Sequence, residues 1–320
     1  MEKLYPWLSD LWQEWQSSLK SGRFSNASML VTQPGLGAEQ LVDHFSRAVM
    51  CSNYEHEACG FCHSCQLMQS NSHPDFHFIK PEKEGKAISV EQIRQCNRQA
   101  QESSQLGGIR LFVIEPAEAM NESAANALLK TLEEPSGNCM FLLVAHRSNG
   151  LLPTITSRCQ QWHLTLPGSE SVANWIKEHV QGTVPLFAAH LNSNAPLSTL
   201  KFIEQGKEKE YLKLEQQFQR VAERRGDCLA LAKALSSEAS ETLYWIWYLL
   251  TDAQKVHFGV EEAHFVPGAK PLADSVEYDL LYQQASALSL LIEQLREHPG
   301  LNSELLILDW LFKFNGETCL

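Results

Sequence analysis

The 320-residue chain is short of positive charge: 26 Lys and Arg stand against 38 Asp and Glu, a formal net charge of −12. A stand-alone nucleic-acid binder gains affinity by releasing phosphate counterions to lysine and arginine. The acidic balance argues against such a protein and leaves any DNA contact to a local patch or a partner. The chain also lacks an apolar run of the roughly 18 to 20 residues that span a bilayer. Met1 to Trp7 holds neither a hydrophobic signal core nor a small-residue cleavage site. A cytoplasmic location is the expectation. Internal repeats and low-complexity stretches are absent too, and with 44% hydrophobic and 20% charged residues the chain reads as ordinary and globular.

Cysteine, by contrast, is plentiful and uneven. Of nine residues, Cys51, Cys59, Cys62 and Cys65 crowd one stretch at C-x7-C-x2-C-x2-C spacing. The others, Cys96, Cys139, Cys159, Cys228 and Cys319, are scattered and read as reduced thiols. Four thiolates this close suit tetrahedral zinc, and with no ligand position left open the metal would be structural. His56 and His63 lie in the same stretch, but four cysteines make them unnecessary as ligands.

Apolar runs at Ala27–Val31, Arg110–Glu115 and Met140–His146 read as buried strands, with weaker strands at Asp75–Lys80 and Gln160–Leu166. Helical periodicity separates them, and Ser89 to Gln92 is a capping box opening one helix. Continuous apolar strands alternating with helices imply a parallel sheet covered on both faces. After Pro167-Gly168 the pattern turns helical, and beyond Lys207 almost purely so. The stretch Glu261–Ser275 reads as a long loop. The apolar segment Leu243–Leu250 belongs to a core or an interface.

"TQPGLGAEQL", residues 32–41, lies between a strand and a helix, the frame of a phosphate-binding loop. Where that loop needs Gly-Lys-Ser/Thr, it has Gly37-Ala38-Glu39. Glu115 closes a strand where P-loop ATPases hold an acid for magnesium, and Pro116, the next residue, has no side chain able to accept a proton. Arg158, in Ser157-Arg158-Cys159, follows a strand and a helical turn. Taken alone it reads as a surface or salt-bridged arginine, the commoner fate of a single Arg, with a functional role as the alternative.

"NALLKTLEEP" (Asn126–Pro135), then "FLLV" and "LPTITSRC", resembles the clamp-loader branch of the AAA+ ATPases. The cysteine insert, "YPWL", "CGFCHSCQLMQSNSHPD" and "LGG" resemble its bacterial, DNA polymerase III members. The resemblance is dense from Tyr5 to about Leu166; the remainder fits by pattern, best at Gly300–Leu311. It implies an α/β AAA+ module with a RecA-like parallel sheet over 1–166, carrying a zinc insert at 51–65. A small helical lid at 167–206 and an all-α collar at 207–320 would follow.

The family's ATPases read Gly-x-x-Gly-x-Gly-Lys-Thr in the loop. Here Thr32 replaces the first glycine, Gly35 and Gly37 keep the turn, Ala38 replaces the phosphate lysine and Glu39 the magnesium hydroxyl. The resemblance thus implies a degenerate loop with no functional ATP site. It also implies that Arg158 is an arginine finger acting in trans on a neighbour's ATP. The implied partners are gamma/tau ATPase subunits, a delta subunit and, through the complex, the sliding clamp and primer–template DNA. Two other readings stay open: an active ATPase of the same fold, and a zinc-dependent nucleic-acid-binding protein.

Overall fold

The computed structural model describes residues 3–83, 85–135, 138–147, 150–181, 183–298 and 300–314. Cys319 lies outside them. The chain forms two compact units, Met1–Leu166 and Pro167–Leu320.

The first unit holds strands β1 (Ala27–Val31), β2 (Phe76–Ile79), β3 (Arg110–Ile114), β4 (Cys139–Ala145) and β5 (Gln160–His163). They form one sheet in the order β2-β3-β4-β1-β5, and every pairing is parallel. The three continuous apolar runs are the inner strands, and β3 and β4 are buried along their whole length. The edge strands β2 and β5 carry the mixed patterns.

Helices α1 (Ser9–Lys20), α2 (Ala38–Val49), α3 (His63–Gln69), α4 (Val90–Gln101), α5 (Glu122–Glu133) and the single turn α6 (Pro153–Thr156) complete this unit. Because strand side chains alternate between faces, Met29, Phe112, Ile114, Phe141 and Leu143 share one face. Ile93 and Cys96 of α4 and Leu128 and Leu132 of α5 join them in one core. Elsewhere in the unit, Trp15 of α1 meets Phe45 of α2, Phe24 and Trp162 of β5 edge-on, with ring centroids 5.0, 5.7 and 6.1 Å away. The capping box forms as expected: the Gln92 N–H donates to Ser89 Oγ at 3.3 Å, and the Ser89 N–H to Gln92 Oε1 at 2.9 Å. Asn121 caps α5, which ends just before Pro135.

Among the described residues the second unit's regular elements are all helices: α7 (Ser169–Lys177), α8 (Leu186–Leu191), α9 (Pro196–Glu204), α10 (Lys207–Ala222), α11 (Cys228–Ser236), α12 (Ala239–His257), α13 (Ala269–Ser275), α14 (Tyr278–Glu297) and α15 (Ser303–Phe314). A core cluster runs from Phe187 to Phe314 and takes in Tyr211, Phe218, Trp245 and Trp310. In the Leu243–Leu250 segment Leu243, Trp245, Ile246, Leu249 and Leu250 are buried in that core, while Tyr244 is exposed.

The expected long loop at Glu261–Ser275 is corrected by α13. Pro271 is its third residue, where a backbone N–H has no intrahelical acceptor, so proline is tolerated. Glu215 fixes the entry to α13: buried on α10, it accepts hydrogen bonds from the Gly268 N–H (2.7 Å) and the Tyr211 hydroxyl (2.6 Å). Among the described residues no helix is long and apolar enough to cross a membrane.

Candidate functional site

Parallel strands give the sheet two chemically different edges, one at the strands' carboxyl ends and one at their amino ends. Ligands of open α/β sheets bind outside the carboxyl ends, where the strand order reverses. Here that point is the end of β1, which lies between β4 and β5.

The loop there keeps its shape. Gly35 and Gly37 have φ of 82° and 71°, a region costly for residues with a Cβ, and Gly37 leads into α2. The Thr32 N–H donates to the Ala145 carbonyl at 2.9 Å. The N-terminal segment braces the loop: the Trp7 indole N–H donates to the Leu36 carbonyl at 2.7 Å, and the Tyr5 N–H to Gln40 Oε1 at 3.2 Å. Ala38 is buried and Glu39 exposed on the first turn of α2.

The charge there departs from a phosphate site's, with the lysine lost and Glu39 added while the acid after β3 is kept. Glu115 follows β3, and its Oε1 lies 3.8 Å from Nε2 of His146, which follows β4. Glu118 accepts the His146 backbone N–H through both carboxylate oxygens, at 3.1 and 3.2 Å. Burial raises the Glu115 pKa, His146 opposes the rise, and Glu39 and Glu118 add to it. A nucleotide phosphate at this edge would face three carboxylates, with Ala38 in place of the lysine that would neutralise it.

The cysteine insert sits between α2 and β2. Its four Sγ atoms lie within 4.8 Å of one another. A metal held by four sulfurs at about 2.3 Å sets them about 3.8 Å apart, and Cys59 and Cys65 are already at 3.9 Å. Backbone amides point at the sulfurs: the N–H groups of Cys59, Cys62 and Cys65 donate to Sγ of Cys51, Cys59 and Cys62 at 3.5, 3.3 and 3.4 Å. Burial disfavours the Cys62 thiolate, but the Cys65 and Ser52 amides outweigh it and bring its pKa to about 6. Burial and the neighbouring thiols push Cys65 up to about 12. Four such groups cannot all ionise without a cation among them, and the donor set fits a tetrahedral metal. Cys96, Cys139 and Cys159 are buried thiols outside this cluster, and the Cys139 thiol donates to the Ala100 carbonyl at 3.1 Å. Burial raises Cys96 to about 12 and Cys159 to about 11, as expected of inert thiols.

Arg158 lies between α6 and β5, at the amino edge. Its Nε donates to Glu133 Oε1 at 2.6 Å, its Nη2 binds the same oxygen, and its Nη1 donates to the Thr154 carbonyl at 2.8 Å. The side chain remains 32% exposed. Ser28 to Val31 pairs with Gln160 to His163. That pairing alone separates Arg158 from the chain's own loop by about 10 Å at 3.3 Å per residue.

Residues 7–167 match the family described as DNA polymerase III, delta subunit, and residues 205–316 match DNA polymerase III, delta subunit, C terminal. The chain is 33% identical to DNA polymerase III subunit delta' of Haemophilus influenzae, over 99% of each chain. It is 32% identical to that of Escherichia coli K12, over 97% of this chain and 94% of the relative. The chain belongs to the DNA polymerase III delta-prime family. The AAA+ architecture follows with it, a parallel α/β module ahead of a helical C-terminal region.

Two features of this delta-prime chain escaped the sequence reading. One is Glu133, the partner of Arg158. The other is the pair Arg110–Asp75, hidden because Arg110 begins an apolar run. Both side chains are at most 2% exposed, 3.1 Å apart. Asp75 also accepts from Ser104 Oγ (3.0 Å) and the Gln105 and Leu106 N–H groups (2.9 and 3.0 Å). Burial opposes its charge, but these donors and Arg110 hold its pKa below the usual range.

Proposed function

We propose that this chain is the non-hydrolysing stator of the DNA polymerase III clamp loader, acting in DNA replication. It gives Arg158 in trans to the ATP site of a neighbouring gamma/tau subunit and helps load the sliding clamp onto primer–template DNA. The observation that carries the reading is the opposition of the two sheet edges. The chain's own loop, at one edge, has Ala38, Glu39 and Pro116 where lysine, hydroxyl and base are needed. Arg158, partly exposed at the other edge, cannot serve that loop and is open to a second chain.

Zinc held by Cys51, Cys59, Cys62 and Cys65 would be structural, since all four positions are filled by sulfur. Residues 1–166 form the AAA+ module, 167–206 a helical lid and 207–320 the collar through which the complex assembles with gamma/tau and delta. Clamp and DNA contacts are made mainly through the assembled complex, consistent with the net charge of −12.

The test is Arg158→Ala in a reconstituted complex, read at the recipient site with the other ATP sites inactivated. Intact assembly with a loss of stimulated turnover of about 10³-fold or more is expected. Unchanged turnover in a fully assembled complex overturns the reading.

A further inference from the structure

Arg158 is not free in this chain. Its guanidinium donates two hydrogen bonds to one oxygen of Glu133 and a third to the Thr154 carbonyl. Glu133 is the last residue of α5, and Thr154 belongs to the α6 turn just ahead of the arginine. The end of a helix carries partial negative charge from its unpaired carbonyls, which adds to the attraction of the carboxylate. All of these groups lie at the amino edge of the sheet, where α5 hands over to β4 and α6 to β5.

We propose that Glu133 is a latch: it parks Arg158 on its own chain and is exchanged for phosphate when a neighbour's nucleotide comes into reach. The proposal rests on the trans-acting role of Arg158 given above and adds its regulation. Three physical features support it.

The pair is open to water, with Arg158 32% and Glu133 46% exposed, so it is weak enough to be exchanged. The exchange is of like for like. A planar guanidinium that binds a carboxylate through Nε and Nη2 presents the same fork to two phosphate oxygens. The Thr154 carbonyl bond does not compete for that face. It holds Nη1 from the α6 side and keeps the fork oriented when the carboxylate leaves.

A latch differs from a support in the sign of its removal. If Glu133 holds Arg158 back, removing its charge frees the finger. Turnover without DNA and clamp rises, and less stimulation is needed. If Glu133 builds the active position, removing it lowers turnover as Arg158→Ala does.

The experiment uses reconstituted complex with Glu133→Gln, which keeps the shape and removes the charge, and Glu133→Asp, which keeps the charge. ATP turnover is measured with and without clamp and primer–template DNA, at 50 and 200 mM salt, beside Arg158→Ala. Glu133→Gln is expected to raise unstimulated turnover about two- to five-fold, the range an exposed ion pair can account for. The rise should shrink at high salt, which already weakens the pair in the unsubstituted chain. Glu133→Asp should lie closer to the parent. Turnover unchanged or lowered by Glu133→Gln, in a complex where Arg158→Ala is strongly impaired, overturns the latch and leaves the finger standing. A silent Arg158→Ala removes the finger and the latch together.

Discussion

The two edges of one sheet differ in what they keep: one has the backbone frame of a phosphate loop, the other a partly exposed arginine. At the carboxyl edge the scaffold of a nucleotide site is intact: strand, glycine turn at Gly35 and Gly37, helix α2, an acid after β3. Its cation is missing: Ala38 stands in the lysine's place, and Glu39 adds a negative charge. At the amino edge lie the α6 turn, the partly exposed Arg158 paired with Glu133, and the buried Asp75–Arg110 pair. Backbone shape is kept where the packing of β1 against α2 requires the turn, whatever the loop binds. Charge is free to change there, because Ala38 and Glu39 alter no strand pairing. A nucleotide-site frame is therefore poor evidence for nucleotide chemistry, and a lone arginine becomes informative once its edge is known.

The largest expected effect concerns the insert beside α2. Structural zinc sites bind with about 10 kcal/mol or more, so metal removal should unfold 51–65. About one equivalent of zinc should be released as the four thiols become titratable. The sheet should keep its own unfolding transition, measured by near-UV circular dichroism through the Trp15, Phe24, Phe45 and Trp162 cluster. Simultaneous loss of that signal would tie the carboxyl-edge frame to the metal.

Next in size is the contrast between two acids, Asp75 buried and Glu115 half-buried. Asp75, at the amino edge, is fully satisfied and its pKa is lowered; Glu115, at the carboxyl edge, is poorly satisfied and its pKa is raised. Arg110→Ala should cost about 3 to 5 kcal/mol, because it strands the Asp75 charge. Since Asp75 has a depressed folded pKa, its contribution is fully present above the unfolded carboxylate value near 3.9. It is lost as pH falls below that value through the folded pKa. Glu115 has the reverse sign: its charge weakens the fold at neutral pH, and protonation relieves that as pH falls through its raised folded pKa. Glu115→Gln should be neutral or stabilise by up to about 1 kcal/mol at pH 7. Chemical denaturation of both variants across pH 3 to 8 checks the pair; a costly Glu115→Gln would break the contrast.

The strands, the capping box and the cysteine cluster were legible in the sequence because each is written locally: apolar runs, Ser89 with Gln92, and sulfurs within fifteen residues. The long-range pairs were not. Arg110 and Asp75 are 35 residues apart and Arg158 and Glu133 are 25 apart, joined only by the order of the strands. Arg110 was read as one more member of an apolar strand for the same reason. The α13 helix was hidden by Pro267, Gly268 and Pro271, residues that mark loops except in a first turn. The role proposed for Arg158 came from the family resemblance, and its distance from the loop from the fold.

The smallest effect sharpens the carboxyl edge directly. Ala38→Lys with Glu39→Thr restores a cation and a hydroxyl to an intact turn. A gain of about ten- to a hundred-fold in Mg-ATP affinity is expected, the value of one or two charge-assisted hydrogen bonds. Turnover should stay absent, because Pro116 still supplies no base. Equilibrium titration and phosphate release measure the two separately.

The most direct test of the opposition between the edges is titration of the unsubstituted, purified chain with Mg-ATP, with phosphate release followed in the same samples. No saturable binding at micromolar nucleotide and no turnover are expected. Tight binding accompanied by hydrolysis would contradict this, since a loop with Ala38 and Glu39 in place of lysine and hydroxyl would then be holding the phosphates.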